Sequence, residues 1–566
     1  MAKIKKEHVF LIAILSVGFI LRVWGIGFGL PYQFHQDESM AINHAIAYGG
    51  GNFNPNYFQL PPLLSYILFF FYAIFYGIGS FFHFFKNTDD FLKLFLQDPS
   101  AFYLIARVSL GLLPGCISIF LIYKLTREIS DKASAYLSAI FLAVSFLYVR
   151  DCHYVYHDIP LAFCLILTFI FLFQFINTNK LSKIIWTGVF AGLATGFKYN
   201  GILVIFPVLL QPWLVKKITK TPVRYVLWVN FVFFISFFVS YILSNPYSIL
   251  DIKAFFESLF LEKQAHGYVG WLHHVIFSSF EGMGLLMTII SILGFIIFLF
   301  SKNIKKKLIA IFILLSYLSI VFFGQVHERY ILPVLPFLLI AASVCLKSLF
   351  DKFIFKKQKI VFVIIVLLIA VPSFIKSIYS DILFSRKDTR AQAADWIFKN
   401  IPRGSLIALD HSFFSPRLIQ SPEQIDEKIS ALQNKKEFDG RIRKAKILKG
   451  ISEQEKSYNV FFLGNDSEGK FIFSSSPVLA FNLDGLIEKK IAYVVIHLDY
   501  PLQDYPESDF MAALLNKAKL IKVFNPYKVK NIDLKERFSP TAAPFSSKEI
   551  FNRNNNGPIL LIYKLN

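Results

Sequence analysis

Phe10-Leu11-Ile12-Ala13-Ile14-Leu15-Ser16-Val17-Gly18-Phe19-Ile20 follows Lys3, Lys5 and Lys6, and is itself followed by Phe34-His35-Gln36-Asp37-Glu38-Ser39. A basic start and an apolar run resemble a secretory signal. No small-residue cleavage site precedes Arg22 and Trp24, however, so the run predicts a retained first membrane span. Two adjacent carboxylates, Asp37 and Glu38, then stand just past that span. Acids beside a membrane cost solvation energy unless a cation, a substrate or water meets them, which points to a working site. The plain alternative is a pair of solvated loop residues at a span boundary.

Composition extends this reading to most of the chain. Of 566 residues 55% are hydrophobic, 65 are Phe and the mean hydropathy is +0.52, against roughly 45–50% apolar residues in soluble domains. The sequence is that of a polytopic membrane protein. Its net charge of +21 does not indicate nucleic acid, because the Lys and Arg residues fall in short clusters between apolar runs, as topogenic loops do. Cys116, Cys152, Cys164 and Cys345 all lie in or beside apolar segments, so neither a disulfide framework nor a paired-cysteine zinc site is expected.

Apolar stretches of spanning length recur near 104–123, 133–149, 159–176, 183–199, 201–215, 225–243, 275–300, 308–323, 330–349 and 360–378. With the first span this predicts about eleven transmembrane helices. The basic clusters Lys124/Arg127/Lys132, Lys180/Lys183, Lys216/Lys217/Lys220/Arg224, Lys302/Lys305/Lys306/Lys307 and Lys352/Lys356/Lys357/Lys359 then fall on the side of the N-terminus, which becomes cytoplasmic. Pro61 to Phe85 is apolar enough to span as well. Counting it would put every later basic cluster outside, so it is read as an amphipathic or re-entrant helix within a first outer loop of 29–103.

After residue 380 the chain turns mixed and polar. Ala394, Ile397, Phe398 and Ile401 repeat at helical spacing, Pro402 and Gly404 break the helix, and Ser405–Leu409, Ile491–Leu498 and Ile559–Tyr563 read as strands. Residues 421–458 are charged, a loop or surface helix. An odd number of spans places 380–566 outside the cytoplasm as an α/β domain following a membrane domain of 1–379. Neither solenoid repeats nor the matched halves of many transporters are visible.

That topology gives the polar residues one address. Asp37 and Glu38 lie in the first outer loop and Arg107 near the outer end of the second span; Arg150, His153, His157 and Asp158 form the next outer loop. Lys198 and Asn200 end a span, His266, Tyr268, His273 and His274 lie in the outer segment 244–274, and His327, Glu328, Arg329 and Tyr330 precede another span. Ionisable groups gathered at one membrane face suit an anionic, lipid-borne substrate. Each has an ordinary reading too. Arg107 and Arg150 fit snorkelling to headgroups, Lys198 an interfacial anchor, the histidines plain loop positions, and Asp158 before Pro160 a helix start. Arg329 is the least ordinary, since topogenic signals do not favour a cation there.

In these pieces the chain resembles the C-type membrane glycosyltransferases, specifically the bacterial relatives of protein O-mannosyltransferase and of lipid A aminoarabinose transferase. The matching residues are His35-Gln36-Asp37-Glu38; Gly51-Asn52-Phe53-Asn54-Pro55 with Pro61-Pro62-Leu63; Ala106-Arg107; Arg150 through His157-Asp158-Ile159-Pro160; Gly192-Leu193-Ala194 to Lys198; and Glu328-Arg329-Tyr330-Ile331-Leu332-Pro333. Asp388 to Asp410, with Trp396-Ile397 and Pro402-Arg403-Gly404-Ser405, looks like the start of the relatives' outer domain. The resemblance implies a GT-C fold and a polyprenyl-phosphate-linked sugar as donor. It further implies an acceptor glycolipid, envelope glycan or protein, and a bacterial cytoplasmic membrane with the chemistry on its outer face. The departing phosphate needs cations more than a general acid. Arg107, Arg150, Lys198 and Arg329 are expected to supply them, with His157, Asp158, Tyr330 and His266 contacting substrate. Asp37, with Glu38 beside it, matches the family acid that takes the acceptor's proton, and attack from the opposite face implies inversion.

The match has departures. In the aminoarabinose transferases an acid and a lysine before the loop proline bind metal and phosphate, whereas here Gln59 and Leu60 stand there. His35, Asp37, His157 and Asp158 could still hold a divalent ion in the manner of oligosaccharyltransferases, but their spacing is no recognisable ligand pattern, so a divalent metal is possible without being indicated. A transporter or flippase for lipid-linked sugars, and a polymerase or ligase of surface polysaccharide, are the rival readings. The missing repeat symmetry weighs against the first, and the first-loop acids weigh against both.

Overall fold

The computed structural model describes residues 6–219, 222–263, 270–324, 327–353, 358–411, 414–434, 439–464, 478–498, 508–528 and 544–565. The chain divides into two compact units. One comprises Met1–Ile26, Ala41–Phe71 and Ile105–Asp381; the other comprises Gly27–Met40, Tyr72–Leu104 and Ile382–Asn566.

The first unit is helical. Among the described residues, helices long and apolar enough to cross a membrane include Asp158–Thr178, Val223–Ser244 and the continuous run Ser100–Arg127; shorter apolar helices include His8–Val23, Lys132–Val144 and Leu181–Phe197. Leu63–Phe81 also meets the length and composition of a crossing helix. The expectation that it lies on the outer face therefore rests on the charge pattern of the later loops alone.

One span is broken. Helix Lys132–Val144 stops at Ser145, whose ψ of 112° is extended, and Phe146–Asp151 begins a new helix. Backbone groups freed in a bilayer must find partners, at several kcal/mol each if they do not. Here buried side chains supply them. Arg22 donates to the carbonyls of Leu142 (2.9 Å) and Ala143 (3.0 Å), the amide of Phe146 donates to Ser373 Oγ (2.9 Å), and Ser377 Oγ donates to the carbonyl of Val144 (3.2 Å). Arg22 is thus a structural cation within its span, wholly buried. Gly111 permits the neighbouring close approach, since a Cβ there would stand 2.4 Å from the carbonyl oxygen of Cys152.

The second unit holds a six-stranded sheet of order β3-β2-β1-β4-β6-β5. Its strands are β1 Leu406–Leu409, β2 Asn459–Leu463, β3 Val478–Leu479, β4 Tyr493–Leu498, β5 Ala518–Phe524 and β6 Ile559–Leu565. β3, β2, β1 and β4 run parallel, and β6 and β5 are antiparallel. Both faces are covered by apolar clusters: Val494, Ile496, Leu486 and Leu514 on one side, and Ile407, Val495, Ile397 and Ile562 on the other. That arrangement explains the near-continuous apolar run of β4. The segment 421–458 forms two helices, Pro422–Asn434 and Asp439–Gln454. At the carboxyl ends of β1 and β4, Asp410 accepts from the amide and Nδ1 of His497 (2.7 Å each) and from Ser415 Oγ (3.1 Å).

Candidate functional site

The first-loop acids open a helix. Gln36–Tyr48 carries Asp37 and Glu38 in its first turn, where negative charge complements the helix dipole. Glu38 is wholly buried whereas Asp37 is partly accessible, so of the two only Asp37 can meet a substrate without rearrangement.

In the helical unit the expected cations do gather with acids and rings. Lys198 leaves the end of helix Leu181–Phe197 in an extended conformation (φ −156°, ψ 134°) and donates to Asp158 Oδ1 at 2.8 Å. Asp158 occupies the first turn of helix Asp158–Thr178 and is 2% exposed. Its second oxygen has no hydrogen-bond partner among the described residues. Lys198 Nζ also lies over the rings of Tyr330 (4.4 Å) and Tyr156 (5.5 Å), while the Arg329 guanidinium lies 4.3 Å from the centre of the Tyr156 ring. His157 packs edge-on against Tyr156. The result is two cations held around two tyrosines, an arrangement that keeps positive charge in place with reduced hydration.

Arg150 has different company. It donates to Asp151 Oδ2 (2.9 Å) and Glu328 Oε1 (2.8 Å) and is 4% exposed. Burial alone would weaken its hold on its proton, but the two carboxylates outweigh burial and raise its pKa. For Glu328 burial acts upward and is overcome by Arg150, so its pKa falls below the usual range. For Asp151 burial wins over Arg150, aided by the nearby charges of Glu328 and Asp158, and the carboxyl is pushed up to about 6. Arg107, also wholly buried, donates to the carbonyl of Ile26 at 2.7 Å. Nearby His153 contacts the carbonyls of Trp24 and Val149, and burial lowers its pKa to about 4.

The structure thus brings Lys198, Asp158, Tyr330 and Arg329 together and ties Arg150 to Glu328. His266 and Tyr268 lie outside the described residues. Sequence reasoning passed over Tyr156 and Asp151; the only local sign was their position within the matching stretch 150–160. Among the described residues no group of three His, Cys, Asp or Glu side chains is gathered so as to hold a metal ion.

Residues 91–242 match the family described as dolichyl-phosphate-mannose-protein mannosyltransferase. The oligosaccharyltransferase of Archaeoglobus fulgidus, solved with a tethered acceptor peptide, is similar at 12% identity over 96% of this chain and 78% of that one, with a TM-score of 0.50. ArnT of Cupriavidus metallidurans, solved bound to undecaprenyl phosphate, is similar at 13% identity over 98% of this chain and 97% of that one, TM-score 0.48. The Pmt1-Pmt2 protein O-mannosyltransferase complex of S. cerevisiae, bound to its sugar donor, is similar at 20% identity over 48% of this chain and 35% of that one, TM-score 0.32. No curated protein matches the chain by sequence. The chain is a multi-pass membrane protein with the fold of the C-type membrane glycosyltransferases. The match to the mannosyltransferase family covers residues 91–242, about a quarter of the chain.

Proposed function

We propose that this chain is an inverting glycosyltransferase that moves one monosaccharide from a polyprenyl-phosphate carrier to an acceptor at the outer face of a bacterial cytoplasmic membrane. Lipid A, an envelope glycan and a protein are the acceptor classes, and the C-terminal domain lies on that same outer side. The observation that carries the reading is the setting of Lys198 and Arg329 around Tyr156 and Tyr330. A sugar leaving a phosphodiester turns it into a monoester and adds negative charge to its oxygens, which fixed cations stabilise without giving up a proton. Arg107 and Arg150 are the further cations of this reading, with His157, Asp158 and Tyr330 contacting substrate.

The acceptor's hydroxyl or amine attacks the anomeric carbon as the bond from that carbon to the phosphate oxygen breaks. The electron pair of the broken bond stays on phosphate, and the acceptor's proton passes to Asp37, the accessible acid of the pair. A positioned base is worth about 10²–10⁴ in rate. Asp37→Asn, nearly isosteric, is expected to fold and bind donor normally while losing turnover with purified polyprenyl-phosphate sugar. Near-normal turnover, or a loss fully restored by more donor, would sink the assignment of Asp37 as base.

A further inference from the structure

Tyr32, Gln33 and Phe34, a few residues ahead of the first-loop acids, are held by the C-terminal α/β domain, within the same compact unit. Gln33 has a left-handed backbone (φ +57°), which costs an ordinary side chain energy and persists only where surroundings enforce it. Arg417 supplies the enforcement, donating from Nη2 to the Gln33 carbonyl (2.8 Å) and from Nη1 to its Oε1 (3.1 Å). The same Oε1 accepts from the Tyr103 hydroxyl at 3.0 Å. Next in sequence, Phe34 is 3% exposed, and the Arg390 guanidinium lies 4.0 Å above its ring. Arg390 is itself fixed by two bonds to Asp388, at 2.9 and 2.8 Å. Tyr32, stacked on Phe34, donates to Asp395 Oδ1 at 2.9 Å.

The segment that carries Arg417 is anchored at both ends. Ser415 bonds Asp410, which is bound to His497 on β4. At the far end Ser421 and Ile419 exchange backbone bonds with Tyr458 at 2.7 and 2.8 Å. A fork of two parallel donors on an anchored segment fixes direction as well as distance. After one intervening residue, His35, helix Gln36–Tyr48 starts and carries Asp37 in its first turn.

We infer that Arg417 is a positioning residue: through Gln33 it sets the place of Asp37, making the C-terminal domain part of the catalytic apparatus. This rests on Asp37 being the base. Misplacing a reacting group by about 1 Å can cost on the order of 10²-fold in rate. Arg417→Ala is therefore expected to lower kcat about 10–100-fold with donor affinity unchanged. Arg417→Lys, which keeps the charge but not the fork, should fall between. Tyr103→Phe should cost a smaller part of kcat and keeps the test open if Arg417→Ala does not fold.

The decisive comparison is Arg417→Ala in the Asp37→Asn background. If Arg417 acts through Asp37, the second substitution adds little to the loss already caused by the first. Multiplying losses, or folded Arg417→Ala and Tyr103→Phe variants with normal kcat, would overturn the inference while leaving Asp37 as base. A fully active Asp37→Asn would overturn the base itself.

Discussion

Lys198 and Asp158 allow a site role to be separated from a structural one. Their charged atoms are 2.8 Å apart, with side-chain exposures of 10% and 3%. Lys198→Ala strands the buried carboxylate, and breaking one side of such a pair costs about 3–5 kcal/mol. Coulomb attraction of about 4 kcal/mol at 4 Å and an effective dielectric of 20 agrees in size. Lys198→Ala combined with Asp158→Asn leaves a neutral amide, so most of that stability is expected to return. Donor binding should not return with it. A hydrogen bond to a charged group contributes about 1.5–3 kcal/mol, so loss of the ammonium weakens donor binding about 10–150-fold in both variants. Thermal unfolding in detergent and titration with polyprenyl-phosphate sugar read the two effects separately. A double variant that regains stability and binds donor as tightly as the parent chain would refute the reasoning, leaving Lys198 as no more than the counter-ion of Asp158.

Three further outcomes are expected. Arg329→Lys keeps a charge but loses the planar face set against Tyr156, so donor affinity should fall; unchanged affinity in Arg329→Ala would reassign the residue to membrane anchoring. With its carboxyl raised to about 6, Asp151 is charged at pH 7.5 and gains a proton as pH falls through about 6, which leaves Arg150 less compensated. The donor phosphodiester stays anionic throughout, so its affinity measured by titration should tighten between about pH 7.5 and 5.5, and Asp151→Asn should remove that dependence. Reporter fusions after Lys306 and after Phe398 should lie in opposite compartments, and a shared compartment would remove the eleven-span count.

How far the sequence could be read depended on where the information lies. Helix Thr389–Asn400 and strands β1, β4 and β6 were visible because periodicity and breakers are local signals. β5 was not, since Lys519 and Lys522 interrupt its apolar pattern, as suits the edge of a sheet. The broken span at Ser145 had no local sign either: its stabilising groups are Arg22, Ser373 and Ser377, each on a distant helix. Arg329 and Lys198 stood out because a cation at an apolar boundary calls for a partner. Tyr156, Asp151 and Gln33 did not, because their meaning comes from Lys198, Arg150 and Arg417, far away in the chain.

The same geometry ranks the cations. Arg150 stands against Asp151 and Glu328, and Lys198 against Asp158, so these two cations already have counter-charges. An anion approaching such a cation must exchange partners, and the exchange is hardest where a cation already has two close carboxylates. Arg150, gripped by Asp151 and Glu328, would lose two charge-assisted bonds to serve a phosphate. Lys198 donates to the single carboxylate of Asp158, and the Arg329 guanidinium lies against the Tyr156 ring. On the proposed reading Lys198 and Arg329 meet the donor phosphate more readily than Arg150, which stays tied to Glu328 as a further cation.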